Sequence, residues 1–257
     1  MTALPIWLTA LLLVLVLPAI AVAVQIALRR RFAALREGDH NDVAGFIIAV
    51  VGVIYAVLLA FVVIVSWENF SGAEGVVGQE ASALRNIYRD STVYPPEVRD
   101  RIHADVHDYA ATAVEREWPA MSRSEEGDPA VGAVLDTFSR DVAALPTATP
   151  TQQQYVSVEA DRFNDLVTAR SQRLDFVGQG VPGVLWTALI VGAVVTIGFA
   201  MIFGMSSTLL HTLMIASLTA LVGVLLFVSV AIDHPFAGDV AVEPAPLERV
   251  LHDFDAP

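Results

Sequence analysis

The 257 residues are 55% hydrophobic with a mean hydropathy of +0.58, too apolar for an ordinary soluble domain. They carry 28 acidic residues against 15 basic ones, all arginine, for a formal net charge of −13, a balance that excludes a basic surface for nucleic acid. The absence of cysteine excludes disulfides, thiolate metal sites and cysteine nucleophiles. Four runs, about Leu4–Leu28, Val43–Ser66, Val181–Phe203 and Thr208–Ile232, contain no Asp, Glu, Lys or Arg. About 20 apolar residues cross ~30 Å of hydrocarbon as a helix, so each run reads as a membrane span.

The first run carries Pro18 at its middle, where a membrane helix tolerates a kink. Ala21-Val22-Ala23 looks like a signal-peptide cleavage site. However, no base precedes the run, and Arg29, Arg30 and Arg31 follow it at once, so the expectation is a retained helix. Those three and Arg36 make residues 29–42 an arginine-rich loop, which belongs in the cytoplasm. Both termini and the polar insert after the second run are then expected outside. In the second run Gly45, Ala49, Gly52, Ala56 and Ala60 recur at three- and four-residue steps and share a helix face. Such a face serves close helix packing in lipid or lines a narrow pore.

Beyond Trp67 the helix continues, with Val77, Ala81, Leu84, Ile87 and Tyr88 in an amphipathic pattern that stops at Tyr94-Pro95-Pro96. Further helices are expected over Glu97–Trp118, Pro129–Leu145 and Pro150–Val177, the last capped by Thr149 with Pro150 at its first position. Pro119–Pro129, with Ser122, Ser124 and Gly127, reads as a loop. Gly178, Gly180, Pro182 and Gly183 form a joint before the third run. The fold class is therefore an all-α membrane protein. Residues 1–66 hold spans one and two with the 29–42 loop, and 67–180 form an acidic helical domain extending helices two and three. Residues 181–232 hold spans three and four, and 233–257 a tail. The insert reads as a four-helix bundle.

Ionisable groups inside a membrane span are functional by default, and the spans offer His211 alone, near a helix end, where an interfacial role is expected. Thr187, Thr196, Thr208, Thr212, Ser217, Thr219 and Ser229 either glue helices together or line a path. Glu68 and Asn69 leave the second run and Asp233 and His234 leave the fourth; together they are candidates for a polar outer mouth that draws cations. Glu80, Arg85 and Arg89 are expected in a salt network with Glu159, Asp161 and Asp165. His103 and His107, four apart, with Asp100 one turn earlier, give weak metal spacing, for which a solvated flank is the plainer reading. No nucleophile elbow, phosphate loop or dinucleotide fingerprint occurs, so no enzyme and no cofactor is implied.

Two stretches carry a family resemblance. One is Gly52-Val-Ile-Tyr-Ala-Val-Leu-Leu-Ala-Phe61 with Trp67-Glu68, Glu80-Ala81, Leu84 and Ile87-Tyr88-Arg89. The other is Asp233-His234-Pro235-Phe236-Ala237-Gly238. With the two-plus-two layout they resemble the bestrophin-like membrane proteins of bacteria. The resemblance implies a four-helix subunit in the bacterial inner membrane, a homo-oligomer with channel activity. The first expectation is thus a passive ion conduit, favouring an inorganic cation because the outer domain is acidic. The rival is a membrane-anchored interaction or sensory protein whose outer bundle binds a ligand or envelope partner.

Overall fold

In the computed structural model, which describes residues 5–32, 41–123 and 126–255, the secondary structure is entirely helical. Leu4, Arg36 with its loop, and Ser124 lie outside the described residues. The chain forms α1 (Ile6–Arg31), α2 (Asn41–Asp90), α3 (Pro96–Thr112), α4 (Pro129–Ala143), α5 (Pro150–Asp175), α6 (Gly183–Ile202), α7 (Thr208–Ile232) and α8 (Ala245–Asp255). A π turn over Ala113–Glu117 carries α3 on to Ser122. Helices α1, α2, α6 and α7 are long and apolar enough to cross a membrane.

Contacts divide the chain into two units. A membrane unit holds residues 5–32, 41–68 and 180–233; an insert unit holds 69–123, 126–179 and 234–255. In the membrane unit, α2 buries Tyr55, Leu59, Val62 and Ser66, one stripe at helical spacing. Tyr55, Leu59 and Val62 pack with Leu189 and Ala193 of α6 and Val222 and Leu226 of α7. The approach is closest where a side chain is missing. A methyl at Gly192 would sit 2.6 Å from the Tyr55 ring, and one at Gly223 would run into the Leu13 carbonyl. Leu13 lies in a π turn, Leu11–Val16, just before Pro18. There the helix accommodates the N–H that proline lacks by a local rewinding.

The insert unit buries a core that includes Leu84, Ile87, Ile102, Val106, Tyr109, Val131, Phe138 and Leu166. Removing the Phe138 ring would cost about 3–5 kcal/mol. Pro95 and Pro96 end the α2 segment and open α3, where a proline N–H is not needed. Thr149 caps α5 in a full capping box with Gln152. The tail is more than a tail: α8 buries Leu247 and Val250 in the same core, so the insert bundle has five helical members where the sequence reading expected four.

Candidate functional site

Within the subunit, the small-residue face of α2 is not the face that is buried. The buried stripe is that of Tyr55, Leu59, Val62 and Ser66. Gly45, Ala49, Gly52, Ala56 and Ala60 lie about a quarter turn round from it. Ala49, Ala56 and Ala60 are exposed, Gly45 faces the Phe203 ring, and Gly52, Ala56 and Ala60 line an apolar groove of about 430 Å³ against Leu221 and Leu225 of α7. Thr196 lines the same groove, and its hydroxyl is buried without a hydrogen bond. Thr219 and Ser229 instead bond back to their own helix.

The outer-mouth candidates divide between structural and open positions. Asp233 follows α7 and is buried. Its carboxylate accepts from the Val181 N–H at 2.8 Å and from the Trp186 indole at 3.3 Å. It therefore satisfies donors at the start of α6, where the helix dipole favours a negative charge, instead of standing open to ions. Glu68 is exposed on α2 and Asn69 half-buried. His234 is exposed, Pro235 and Phe236 are buried, and Phe236 packs edge-on against Trp118. Gly238 has φ +92, a left-handed conformation that favours glycine in this turn.

The strongest electrostatic cluster lies in the insert unit. The side chains of Glu80, Glu117 and Arg173 are fully buried. Arg173 donates to both oxygens of Glu80, at 2.6 and 3.0 Å, and to Glu117 Oε2 at 2.7 Å. Arg170 donates to Glu117 at 2.5 and 3.2 Å, and Tyr109 Oη donates to Glu80 Oε1 at 2.5 Å. The Trp118 ring lies 4.7 Å from the Arg173 guanidinium. Burial alone would raise the Glu117 pKa, but the Arg170 and Arg173 contacts hold it below its ordinary value. Burial first, and Glu80 second, push the Tyr109 phenol well above its own. Two carboxylates and two guanidiniums neutralise each other, so the set clamps α2, α3 and α5 together.

This replaces the expected network. Glu80 pairs with Arg173, and Arg85 and Arg89 do not take Glu159, Asp161 or Asp165 as their partners. Arg85 reaches Asp253 at 3.7 Å, Arg89 reaches Asp90 and Asn86, and Asp165 pairs with Arg162. Glu159 is buried with neither oxygen hydrogen-bonded; burial, then the charge of Asp90, raises its pKa to about 8. In Asp105 one carboxyl oxygen lacks a partner, and burial, then Asp141, raises its pKa to about 7. The metal candidates do not converge. Asp100 is held by Arg99 at 2.7 Å. His103 stacks on Tyr88 at 3.6 Å, and Phe254 stacks on Tyr88 at 3.7 Å. His107 lies 3.7 Å from Asp108. Among the described residues no three His or acidic side chains are placed to hold a metal.

The membrane unit contains one cluster that the sequence reading missed. His211, expected at an interface, is only 1% exposed, and Arg29 only 4%. Arg29 bonds His211 Nδ1 at 2.8 Å and the Met205 carbonyl at 2.5 Å, while His211 Nε2 meets the Ala200 carbonyl at 3.1 Å. Four residues before Arg29, Gln25 is buried and accepts from Thr212 at 3.2 Å. Gln25, a polar residue inside an apolar run, was the available signal. In the insert unit a polar groove of about 630 Å³ runs between α2 and α5, lined in part by Gln79, Ser82, Asn86, Arg162 and Gln172.

A family model described as Bestrophin-like domain matches residues 15–247. Among solved structures, a bacterial bestrophin homologue from Klebsiella pneumoniae is 13% identical, covers 93% of this chain and 96% of its own, and has a TM-score of 0.70. A point variant of a bestrophin homologue from that organism, also 13% identical, covers 98% and 99% with a TM-score of 0.71. A structure described only as a membrane protein variant is 12% identical, covers 95% and 97%, and has a TM-score of 0.73. At such identities the likeness is one of fold. No curated protein matches the chain.

Proposed function

We propose, from the premise that this chain belongs to the bestrophin-like family, that it is one subunit of a homo-oligomeric membrane channel, a passive conduit favouring cations. The observation that carries the reading is the unfinished packing of α2. It buries one stripe against its own subunit and leaves the small flank of Ala49, Ala56 and Ala60 exposed. Neighbouring copies covering that flank would complete the packing and surround an axis. The spans carry no carboxylate relay of the kind a proton-coupled transporter needs, which favours passive flow. The arginines in the last turn of α1 support an insert and both termini outside an inner membrane. Exposed Glu68, repeated by symmetry, would raise the local cation concentration at the mouth.

The test is reconstitution of the purified protein in planar bilayers under a salt gradient. The reading expects discrete conductance with a reversal potential on the cation side, moved toward zero by Glu68→Gln. A reversal potential on the anion side would overturn the selectivity. Silent bilayers, with an oligomer lacking a central gap between helices, would overturn the channel. The polar groove of the insert would then carry the binding-module reading.

A further inference from the structure

The membrane unit buries a positive charge that no described residue in it neutralises. Arg29 stands in the last turn of α1. Its guanidinium is held by the His211 imidazole and the Met205 carbonyl, both uncharged acceptors. The imidazole is fixed as an acceptor at Nδ1, because its Nε2 faces the Ala200 carbonyl and so carries the proton. No carboxylate among the described residues pairs with Arg29. The carbonyl ends of α1 and α6 supply only fractional negative charge. Asp233, the buried carboxylate of this unit, follows the far end of α7 from His211. A buried cation without a counter-charge is costly and is ordinarily compensated by something.

Arg29 itself does not line a cavity, but its partners His211 and Met205 form one corner of one. A space of about 460 Å³ is lined by His211 and Met205 together with Ile48, Phe203, Met214 and Leu218. Apart from the imidazole its walls are apolar, and its size falls within the ~300–1,000 Å³ of ligand pockets. Arg30 and Arg31, next to Arg29, are exposed. A hydrocarbon chamber beside three consecutive arginines at the end of a membrane helix matches a molecule with an anionic head and an apolar tail. Charge complementarity at the head and apolar volume at the tail lead to one occupant. We propose that this cavity binds an anionic phospholipid, with its phosphate at the Arg29–Arg31 end of α1 and an acyl chain against Met214 and Leu218. Basic pockets between membrane helices hold such headgroups by the same forces. The proposal is independent of whether the protein conducts.

The experiment uses the full chain purified in detergent and native mass spectrometry, with phosphatidylglycerol, phosphatidylcholine or inorganic phosphate added. The expected result is retained phosphatidylglycerol in preference to phosphatidylcholine by about fivefold, the ratio that ~1 kcal/mol from the one arginine without a counter-charge gives, and no retained phosphate. Arg29→Gln removes the preference. Because that variant also breaks a buried hydrogen-bond set, Met214→Trp is the companion. Met214 is exposed at the cavity wall, so an indole introduced there fills the space without disturbing the core. It is expected to lower phosphatidylglycerol retention at unchanged melting temperature. Equal retention of the two lipids by the unmodified protein, or retention untouched by Met214→Trp, overturns the proposal. Retention of phosphate as strong as that of the lipid overturns it too, since the cavity would then have no part.

Discussion

The two units treat buried charge in opposite ways. The insert unit gathers Glu80, Glu117, Arg173 and half-buried Arg170 into one set in which each charge meets its opposite at hydrogen-bond distance. The membrane unit buries Arg29 and Asp233 at opposite ends of α7, and among the described residues Arg29 is held by neutral partners alone. A closed ionic set is finished within the subunit and has no remaining valence for a ligand. An isolated charge held by neutral groups is unfinished, and its neighbourhood is where lipid, ion or another copy has something to contribute. The densest charge cluster in this chain is therefore a structural clamp, and the sparser region carries the functional interest.

The largest effect that tests this contrast comes from opening the closed set. Arg173→Met leaves Glu80 and Glu117 buried with Arg170 as their one remaining cation. Breaking a buried pair on one side costs about 3–5 kcal/mol. The expected outcome is a large drop in the urea midpoint of the solubilised full chain. Lipid retention by the membrane unit should survive wherever the protein still folds. A midpoint close to that of the unmodified protein would mean that the set is not a clamp, and the contrast would lose its first half.

A smaller effect is expected from the acids that the clamp does not neutralise. Glu159, raised to about 8 by burial and then by Asp90, stays protonated in the fold at pH 6. The unfolded chain ionises it above about 4.3. Its contribution is therefore full at low pH and is lost as pH rises from the unfolded value through the folded one. Asp105, raised to about 7 by burial and Asp141, acts in the same direction. Glu117, held low by Arg170 and Arg173 against its burial, acts oppositely, and its contribution is lost as pH falls through its depressed folded value. Melting between pH 5 and 8 should show declining stability for the native chain and a shallower decline for Glu159→Gln. Identical slopes would remove Glu159 from the account.

What the sequence disclosed and what it hid divide along the same physical line. Helix positions follow from local pattern. The four apolar runs, the stop at Pro95-Pro96 and the Thr149–Gln152 cap are set by residues within a few positions of each other. The partner of Glu80 is Arg173, 93 positions away, and the partner of Arg29 is His211, 182 positions away. No spacing rule reaches that far. Gly192 and Gly223 look like any other small residue in an apolar run until Tyr55 and Leu13 are laid against them. Helix α8 is the exception. Leu247, Val250, Leu251 and Phe254 stand at i, i+3, i+4 and i+7, a legible amphipathic stripe passed over as tail.

The smallest effect concerns what holds that last helix. Arg85 and Asp253 form an ion pair at 3.7 Å, with both side chains more than a third exposed. Exposed pairs contribute about 0–1 kcal/mol and weaken further in salt. The apolar side of α8 is different. Leu247 and Val250 are fully buried, and Phe254 stacks on Tyr88, whose other face holds His103. Truncating a buried leucine costs about 2–5 kcal/mol, several times the worth of the pair. Arg85→Ala should therefore leave protease resistance of the C-terminal helix nearly unchanged, at low and high salt alike, while Leu247→Ala exposes it. A strong, salt-sensitive loss with Arg85→Ala would show that charge at the surface of the insert does what this reading assigns to burial.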